Sequence, residues 1–293
     1  MRSTKLLLTL INQAAQYLQG SVRPSKVITF ALALLLGASA VHAAGPRVVS
    51  MNLCTDQLVM MLADPDQIVS LSPMATDAHS SALRDTAGQF TQNSGSAEEI
   101  YLSKPDVIVA GLYTEKASVH MLQSLDLRVE IFDPADSFDA VRANIVRLAK
   151  VIGHPDRGHA MVADFDARLA ALQSGIAQRP RAILYHANGY TSGAQSLSND
   201  ILTAAGFENL AVELGLTWGG TVPLERLIMI DPDVVITGRP FPGHSRGEEI
   251  LRHPALAPLK MSAHTDARWV CGTPMVLDAI QDLQREHPDK RSQ

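Results

Sequence analysis

Short apolar runs alternate along the chain with longer segments in which apolar residues recur at helical spacing. Such runs are typical of strands in parallel sheets, because those strands are covered on both faces. The sequence predicts strands at 47–51, 67–71, 107–111, 129–132, 182–185, 234–238 and 268–270, and helices at 56–63, 138–152, 197–205 and 275–285. Strands that alternate with helices in this way indicate the α/β class with mainly parallel sheets.

One unit occurs twice without a gap, as EEIYLSKPDVIVAG at 98–111 and as ERLIMIDPDVVITG at 225–238. Each copy opens with an acidic residue, continues through Pro and Asp into an apolar run, and ends at Gly. An acid favours a helix N-terminus, Pro stops a helix, and the apolar run suits a covered strand. The repeat therefore predicts two similar α/β lobes.

The segment between the two halves has the pattern of a single helix. Met161, Val162, Phe165, Leu169 and Leu172 recur at helical spacing over 159–176, with charged residues between them. Pro155 and Pro180 flank the segment. We expect one stiff bridging helix that permits only small motions, within 154–179, between an N-terminal lobe at 44–153 and a C-terminal lobe at 180–293.

The first 43 residues have the pattern of a secretory signal peptide. Arg2, Lys5, Arg23 and Lys26 precede an apolar run at 27–36, and Val41-His42-Ala43 suits cleavage after Ala43. An apolar run of this length is too short to cross a membrane, which needs roughly 20 residues. No cysteine stands at the cleavage point, so we expect an exported protein without a lipid anchor.

Removal of this segment changes the charge of the chain. It takes away four basic residues and no acidic ones, which leaves 21 Lys and Arg against 30 Asp and Glu, a net charge of −9. Such a surface argues against nucleic acid or anionic lipid as a general partner.

Several short motifs occur in an order and spacing that resemble a known family. They are RVVSMN at 47–52, the two repeat units, TSG at 191–193 and GFENL at 206–210. Together they resemble the cobalamin, ferric-siderophore and haem-type periplasmic binding proteins, whose two lobes are bridged by one long helix. The resemblance implies a monomer in the periplasm that captures a metal chelate between its lobes and delivers it to an ABC permease and ATPase complex. It also implies that one glutamate on each lobe, Glu98 and Glu225, docks onto the permease.

Ligands of open α/β sheets bind beyond the carboxyl ends of the strands. Residues at predicted strand ends and nearby loops are therefore the candidates for the cleft: Asn52, Cys54, Ser72, Met74 and Tyr113 from the first lobe, and Asn188, Tyr190, Trp218, Arg239, Phe241 and Trp269 from the second. Trp218 and Tyr190 would form an apolar wall for a bulky chelate. Arg239 would pair with carboxylate or catecholate oxygens.

The two cysteines, Cys54 and Cys271, follow the first and the last predicted strands, so both are expected at the rim of the cleft. Three alternatives are open. They form a disulfide that closes a very long loop, they supply thiolate ligands to a metal, or they are small buried apolar residues.

The sequence lacks the motifs of the common enzyme classes, such as a phosphate-binding glycine loop, a His-Glu-x-x-His pair or a nucleophile elbow. We therefore predict a binding protein without a cofactor. A second hypothesis is capture of a bare transition-metal ion by Cys54, Cys271, His244 or Asp77, and a third is a sensor on the same fold. His186 and His244 are candidate iron ligands, and the alternative is that each is a hydrogen-bonded or surface histidine, as isolated histidines usually are.

Overall fold

The computed structural model describes residues 45–174, 176, 178–240, 243, 245–259 and 261–287, and the chain from Gly45 onward forms one compact unit. The expected signal peptide at 1–43 and the candidates Phe241 and His244 lie outside the described residues. Within the described part of the chain, no helix combines the length and the apolar character needed to cross a membrane.

A four-stranded parallel sheet organises the first lobe. Its strands are β1 (Val48–Ser50), β2 (Ile68–Ser70), β3 (Val107–Gly111) and β4 (Val129–Phe132), in the order β2-β1-β3-β4. Its helices are α1 (Leu53–Leu62), α2 (Arg84–Ala87), α3 (Ala97–Leu102), α4 (Lys116–Ser124) and α5 (Phe138–Val151), with 3-10 turns at Pro65–Gln67 and Pro73–Thr76. The apolar runs of β1 and β3 are buried, as expected for central strands covered on both faces.

One long helix, α6 (Pro155–Gln173), leads from the first lobe to the second. It lies within the segment 154–179 predicted from the sequence, and Pro155 is its first residue. The backbone N–H of the first helical residue has no acceptor within the helix. Pro has no such N–H, so it fits this position. The Arg142 side chain of α5 donates to the Asp166 carboxylate of α6 at 2.6 Å. α5 and α6 therefore form a paired helical layer.

A second four-stranded parallel sheet organises the other lobe. The strands of this half are β5 (Arg181–Leu184), β6 (Tyr190–Ser192), β7 (Glu208–Asn209), β8 (Gly219–Thr221), β9 (Val234–Gly238) and β10 (Met261–Thr265). The sheet has the order β10-β9-β5-β7, while β6 and β8 form a separate antiparallel ribbon. The helices are α7 (Leu197–Ala205), α8 (Leu210–Glu213), α9 (Leu224–Ile230) and α10 (Val276–Glu286), with 3-10 turns at Ala187–Gly189, Arg246–Arg252, Pro254–Leu256 and Ala267–Trp269.

Both copies of the repeat form the predicted helix and strand, as α3–β3 and α9–β9. The Asp that follows each Pro has the same task in both lobes. The carboxylate of Asp106 accepts from the backbone N–H of Arg47 at 2.7 Å, and that of Asp233 accepts from the backbone N–H of Arg181 at 2.7 Å. The repeat thus fastens each helix–strand unit to the neighbouring strand, which gives the two lobes the same internal plan.

The prediction of a strand at 268–270 was wrong. This segment belongs to the 3-10 turn Ala267–Trp269, which the carboxylate of Asp266 caps by accepting from the Arg268 N–H at 2.9 Å. The strand lies earlier, as β10, with the sequence MSAHT. Because β10 is an edge strand it does not need a continuous apolar run, so its sequence lacks that signal.

Candidate functional site

A groove of about 600 Å³ is lined by residues from both lobes. The first lobe contributes the loop after β2, and the second contributes the ends of β9 and β10. The lining residues are Ala78, His79, Ser81, Ala82, Arg84 and Asp85 on one side, and Gly238, Arg239, Pro240, Thr265, Asp266, Ala267, Arg268, Val270 and Met275 on the other. Both walls carry charged side chains, so the groove suits a ligand with polar or ionised groups at its edge.

Arg239 is the charged side chain best placed to meet a ligand. It follows β9, is largely exposed, and reaches Asp266 only at 3.7 Å. A second cavity of about 350 Å³ beside the groove is also lined by Arg239. Since its guanidinium is loosely held, it can turn toward an anionic group and bind it through two parallel N–H donors.

Arg268 is instead fixed by two carboxylates. Its guanidinium donates to both oxygens of Asp266 and to Asp282 at 2.6 Å, and these hydrogen bonds raise its pKa. Burial alone would raise the pKa of Asp282, but the hydrogen bond and charge of Arg268 and the charge of Arg285 leave it below its usual value. This network holds the end of β10 against α10 and leaves Arg239 as the weakly paired cation of this wall.

On the opposite wall, Asp77 stabilises the backbone of the loop. Its carboxylate accepts from the N–H of Ser80 at 2.8 Å and of His79 at 3.0 Å, and the hydrogen bonds from Ser80 lower its pKa. Arg84 and Asp85 form an ion pair at 3.3 Å near the groove. Asp77 therefore caps a turn through its Oδ1 oxygen.

Four of the predicted ligand residues of the first lobe line a neighbouring cavity of about 530 Å³: Asn52, Ser72, Met74 and Tyr113. Met74 and Tyr113 are exposed there. Asn52 begins α1, because its side chain accepts from the Cys54 N–H at 3.0 Å. A Cβ on Gly111 would come within 2.8 Å of the Asn52 side chain, so the terminal Gly of the repeat makes room for this cap.

Ser72 is buried and already has a partner. Its hydroxyl and its backbone N–H both donate to the carboxylate of Asp56, at 2.5 and 3.1 Å. Burial raises the pKa of Asp56 to about 6, against the lowering effect of hydrogen bonds from Ser50 and Ser72. Ser72 thus supports the floor of the cavity through Asp56, and Met74 and Tyr113 remain better placed for direct contact with a ligand.

Cys54 and Cys271 are joined by a disulfide, with 5.1 Å between their Cα atoms. The bond is the first of the three alternatives left open by the sequence, and it removes the free thiolates that metal ligation would need. Cys54 and Gly272 line a small cavity of about 160 Å³ together with Asn52 and Tyr113. Among the described residues, no group of three or more His, Cys, Asp or Glu side chains converges as a metal site.

In the second lobe, Tyr190 and Trp218 belong to the β6–β8 ribbon. Trp218 directly precedes β8, its carbonyl accepts from the Gly193 N–H at 3.0 Å, and both aromatic side chains are exposed. Asn188 is exposed in a 3-10 turn with a φ of 58°. The ribbon therefore brings the two predicted aromatic residues onto one small element.

Trp269 and His186 remain among the candidates of the second lobe. Trp269 lies in a 3-10 turn and packs against the apolar core, so its predicted place at a strand end was wrong. It still lines the cavity of about 350 Å³ next to Arg239. Burial lowers the pKa of His186, which favours a neutral ring beside the end of β5.

Glu98 and Glu225 occupy equivalent places, each as the second residue of its short helix, and both are exposed. The neighbouring Glu99 carboxylate accepts from the Ser94 N–H at 2.8 Å and the Ser94 hydroxyl at 2.5 Å, which lowers its pKa. Glu99 is thus engaged within the first lobe, whereas no described residue donates a hydrogen bond to the carboxylate of Glu98 or Glu225. The pair available to a partner is Glu98 and Glu225.

Sequence reasoning missed several charged residues of the groove, namely His79, Arg84, Asp85, Asp266 and Arg268. His79, Arg84 and Asp85 lie on the long connection after β2, which carried no motif. Asp266 follows β10 directly, so correct placement of that strand would have put it on the strand-end list.

Comparisons with known proteins agree with this architecture. The chain is 27% identical over 197 residues to a cobalamin-binding protein of Halobacterium salinarum, and the match covers 66% of this chain and 53% of that protein. The same values hold for its counterpart in a second strain of that organism. The chain thus spans about half the length of the curated relatives it matches.

Solved structures of low sequence identity share the fold. The periplasmic heme-binding protein RhuT from Roseiflexus sp. RS-1 matches with a TM-score of 0.68 at 20% identity, over 82% of this chain and 97% of that one. The periplasmic vitamin B12 binding protein BtuF of Vibrio cholerae matches with a TM-score of 0.62 at 18% identity, over 83% and 96%. These structures support the two-lobe α/β fold.

The match that identifies the chain is to a family model. The model described as periplasmic binding protein matches residues 48–265, from β1 to the end of β10. That span includes both sheets, the bridging helix and most of the groove. The chain therefore belongs to the family of periplasmic binding proteins.

Proposed function

We propose that this protein captures a metal chelate, such as a ferric siderophore, a corrinoid or haem, and delivers it to an ABC permease. The observation that carries the proposal is the groove of about 600 Å³ lined by both lobes, with the ends of β9 and β10 on one side and the connection after β2 on the other. Membership of a binding-protein family excludes the enzyme classes, as predicted from sequence. The cobalamin-binding relative and the heme- and B12-binding structural neighbours support a chelate as cargo.

The volume of the groove is within the range usual for small-molecule sites, about 300–1,000 Å³. In our proposal, Arg239 binds an anionic group of the chelate, and Met74 and Tyr113 offer apolar contact from the first lobe. Asn188, Tyr190, Trp218 and Trp269 are the further contacts proposed from the second lobe.

Capture of a bare metal ion is less well supported. That hypothesis used both cysteines as ligands, and the disulfide engages both sulfurs. Asp77 is engaged in a turn, as described above. A bare ion would fill only a small part of a groove of this volume, because its ligands lie within about 2.0–2.3 Å of the metal.

For delivery, we propose that Glu98 and Glu225 dock onto basic pockets of the permease. Support comes from their equivalent positions and exposed carboxylates in the two lobes. A partner built from two related subunits would meet the same chemistry twice. We further propose export through a cleaved signal peptide at 1–43, and action in the periplasm as a monomer with lobes at 44–153 and 180–293.

The test is a titration of the purified exported protein with haemin, cyanocobalamin and a ferric siderophore, followed by tryptophan fluorescence. The chain has two tryptophans, so Trp269→Phe leaves Trp218 as the only reporter and Trp218→Phe leaves Trp269. We expect saturable quenching by one chelate, larger for Trp218. For a chelate with carboxylates, Arg239→Ala should weaken binding about tenfold, as expected for loss of one charge-assisted contact.

The matched control is Arg128→Ala, since Arg128 is exposed and paired with Glu130 away from the groove. It should bind the chelate as the unmodified protein does. Absence of quenching by every chelate, together with a stoichiometric transition metal retained through purification, would refute the proposal and favour capture of a bare ion.

A further inference from the structure

The two repeat helices expose matching apolar pairs. In α3, Tyr101 is 48% exposed and Leu102 is 76% exposed. In α9, the residues at the equivalent positions of the repeat are Ile228, which is 40% exposed, and Met229, which is 75% exposed. The side chains differ between the lobes, but their apolar character and their exposure agree.

Each apolar pair lies beside a glutamate on the same helical face. Residues three and four positions apart are neighbours on a helix surface. Glu98 therefore neighbours Tyr101 and Leu102, and Glu225 neighbours Ile228 and Met229. We call each set of three a docking triad.

The buried side of each helix faces the opposite way from its docking triad. Ile100 of α3 and Leu227 of α9 are at equivalent repeat positions, and both are buried in the apolar core of their own lobe. Packing of the fold thus uses one face of each helix and leaves the docking triad to solvent. A single exposed Leu or Met is ordinary on a protein surface. The same arrangement in both lobes needs a common reason.

The chemistry of the docking triads indicates the kind of partner. No described residue donates a hydrogen bond to either triad carboxylate, so the complementary partner is cationic at these points. A large exposed apolar side chain beside the charge complements an apolar pocket. At interfaces, charged groups mainly set the association rate and buried apolar groups mainly set the dissociation rate.

We propose that the two docking triads form one two-part interface for a membrane permease with two related subunits, each offering an apolar pocket rimmed by basic side chains. Leu102 and Met229 insert into the pockets and hold the complex together, while Glu98 and Glu225 orient it. This inference rests on the proposed delivery function and assigns a further role to the same two helices.

The experiment measures binding kinetics with the permease–ATPase complex of the producing organism, held in nanodiscs. The variants are the double substitutions Leu102→Ser with Met229→Ser and Glu98→Gln with Glu225→Gln. Matched controls are Met121→Ser on α4 and Val212→Ser on α8, both half-exposed apolar residues outside the triads. Thermal unfolding of every variant shows that it is folded, which is expected because all the substituted side chains are exposed.

We expect the Leu102 and Met229 double variant to dissociate at least about tenfold faster, with an association rate within about twofold of the unmodified protein. The glutamate double variant should associate more slowly and should lose most of its dependence on ionic strength. The two control variants should behave as the unmodified protein does. A change in the dissociation rate constant for one variant and in the association rate constant for the other would show that Leu102 and Met229 hold the complex, while Glu98 and Glu225 orient it.

Four outcomes would overturn the inference. If the unmodified protein does not bind the complex, the proposed delivery function fails and the inference fails with it. If it binds and only the glutamate variant is impaired, delivery stands and the apolar role is wrong. If binding to empty nanodiscs is equal, the pairs contact lipid. If sedimentation shows a dimer that the apolar variant abolishes, the occupant is a second copy of the chain.

Discussion

Asp56 is a carboxylate with no solvent exposure, held beneath the cavity of the first lobe. Two groups of Ser72 donate to it, and burial still raises its pKa to about 6. In the sequence, Asp56 lies at the start of the predicted helix 56–63, and no motif marks it. Its burial could not be predicted, because its hydrogen-bond partner Ser72 belongs to the loop after β2, 16 positions along the chain.

The raised pKa makes stability depend on pH. In the unfolded chain the group titrates near 3.8, so between about pH 4 and 6 the folded protein holds more protons than the unfolded one. The free energy of unfolding therefore falls as pH rises through this window, by up to about 3 kcal/mol from this group, and is then level. Asp56→Asn should abolish this component, as measured by urea denaturation from pH 4 to 8.

The control for this measurement is Asp126→Asn, since Asp126 is exposed and Asn tolerates its φ of 58°. That variant should keep the pH profile of the unmodified protein. A profile for Asp56→Asn that falls with pH as steeply as the control profile would show that Asp56 does not titrate in this window.

The repeat residues show how far sequence reasoning reaches at this scale. Pro and Asp of each unit were visible as a pattern, and the structure gives the Asp its task of accepting from Arg47 or Arg181. The arginines were not predicted to be partners, because 59 and 52 positions separate the members of the two pairs. Contacts over such separations follow from strand order, which the periodicity of one segment does not contain.

Among the elements, covered strands and amphipathic helices were predictable, and edge elements were not. The apolar runs at β3 and β9 lie in sheet interiors, where burial on both faces demands them. β10 pairs with β9 on one side only and carries the mixed sequence MSAHT, so it gave no signal. The strands of the β6–β8 ribbon have only three residues each and are also mixed in sequence.

The close packing of α5 on α6 supports a prediction at the same scale. A Cβ at Gly158 would lie 2.4 Å from the Ala149 Cβ and 3.4 Å from the Ile145 carbonyl oxygen. Although Ala favours a helix by about 1 kcal/mol over Gly, overpacking costs about 1–3 kcal/mol. Gly158→Ala should therefore lower the free energy of unfolding or leave it unchanged, as measured by urea denaturation.

Gly88→Ala is the matched control, because Gly88 has a φ of −60° and its Cβ would meet only the Asp85 and Arg84 carbonyls at ordinary contact distances. It should be neutral or stabilising. A gain of stability in Gly158→Ala equal to that in Gly88→Ala would show that α5 and α6 separate without cost.

For the whole molecule, the rule that ligands bind at strand ends predicted only Arg239 among the residues described as lining the groove. It also selected Asn52 and Tyr113, which follow β1 and β3 by two residues and line a neighbouring cavity. It failed for the wall built by His79, Arg84 and Asp85, which lies on a connection whose path depends on how the lobes meet. Such a path is set by tertiary packing and leaves no periodic pattern.

The disulfide is the largest covalent constraint on the molecule, since 217 positions separate Cys54 from Cys271. It ties the first turn of α1 to the segment before α10. α10 is in turn joined to the bridging helix, where the Arg168 side chain donates to Asp278 at 2.7 Å and the Gln284 amide donates to the Leu172 carbonyl at 2.8 Å. The bond therefore fastens the end of the fold to its beginning.

Closure of so long a loop restricts the unfolded chain strongly. In the chain-entropy account it contributes about 5 kcal/mol, so the Cys54→Ser and Cys271→Ser double variant should lose stability by about this amount in urea denaturation. A reducing agent should lower the free energy of unfolding of the unmodified protein to that of the variant, and it should leave the value for the variant unchanged. Loss of less than about 1 kcal/mol in both comparisons would mean that the unfolded chain already keeps these two segments together.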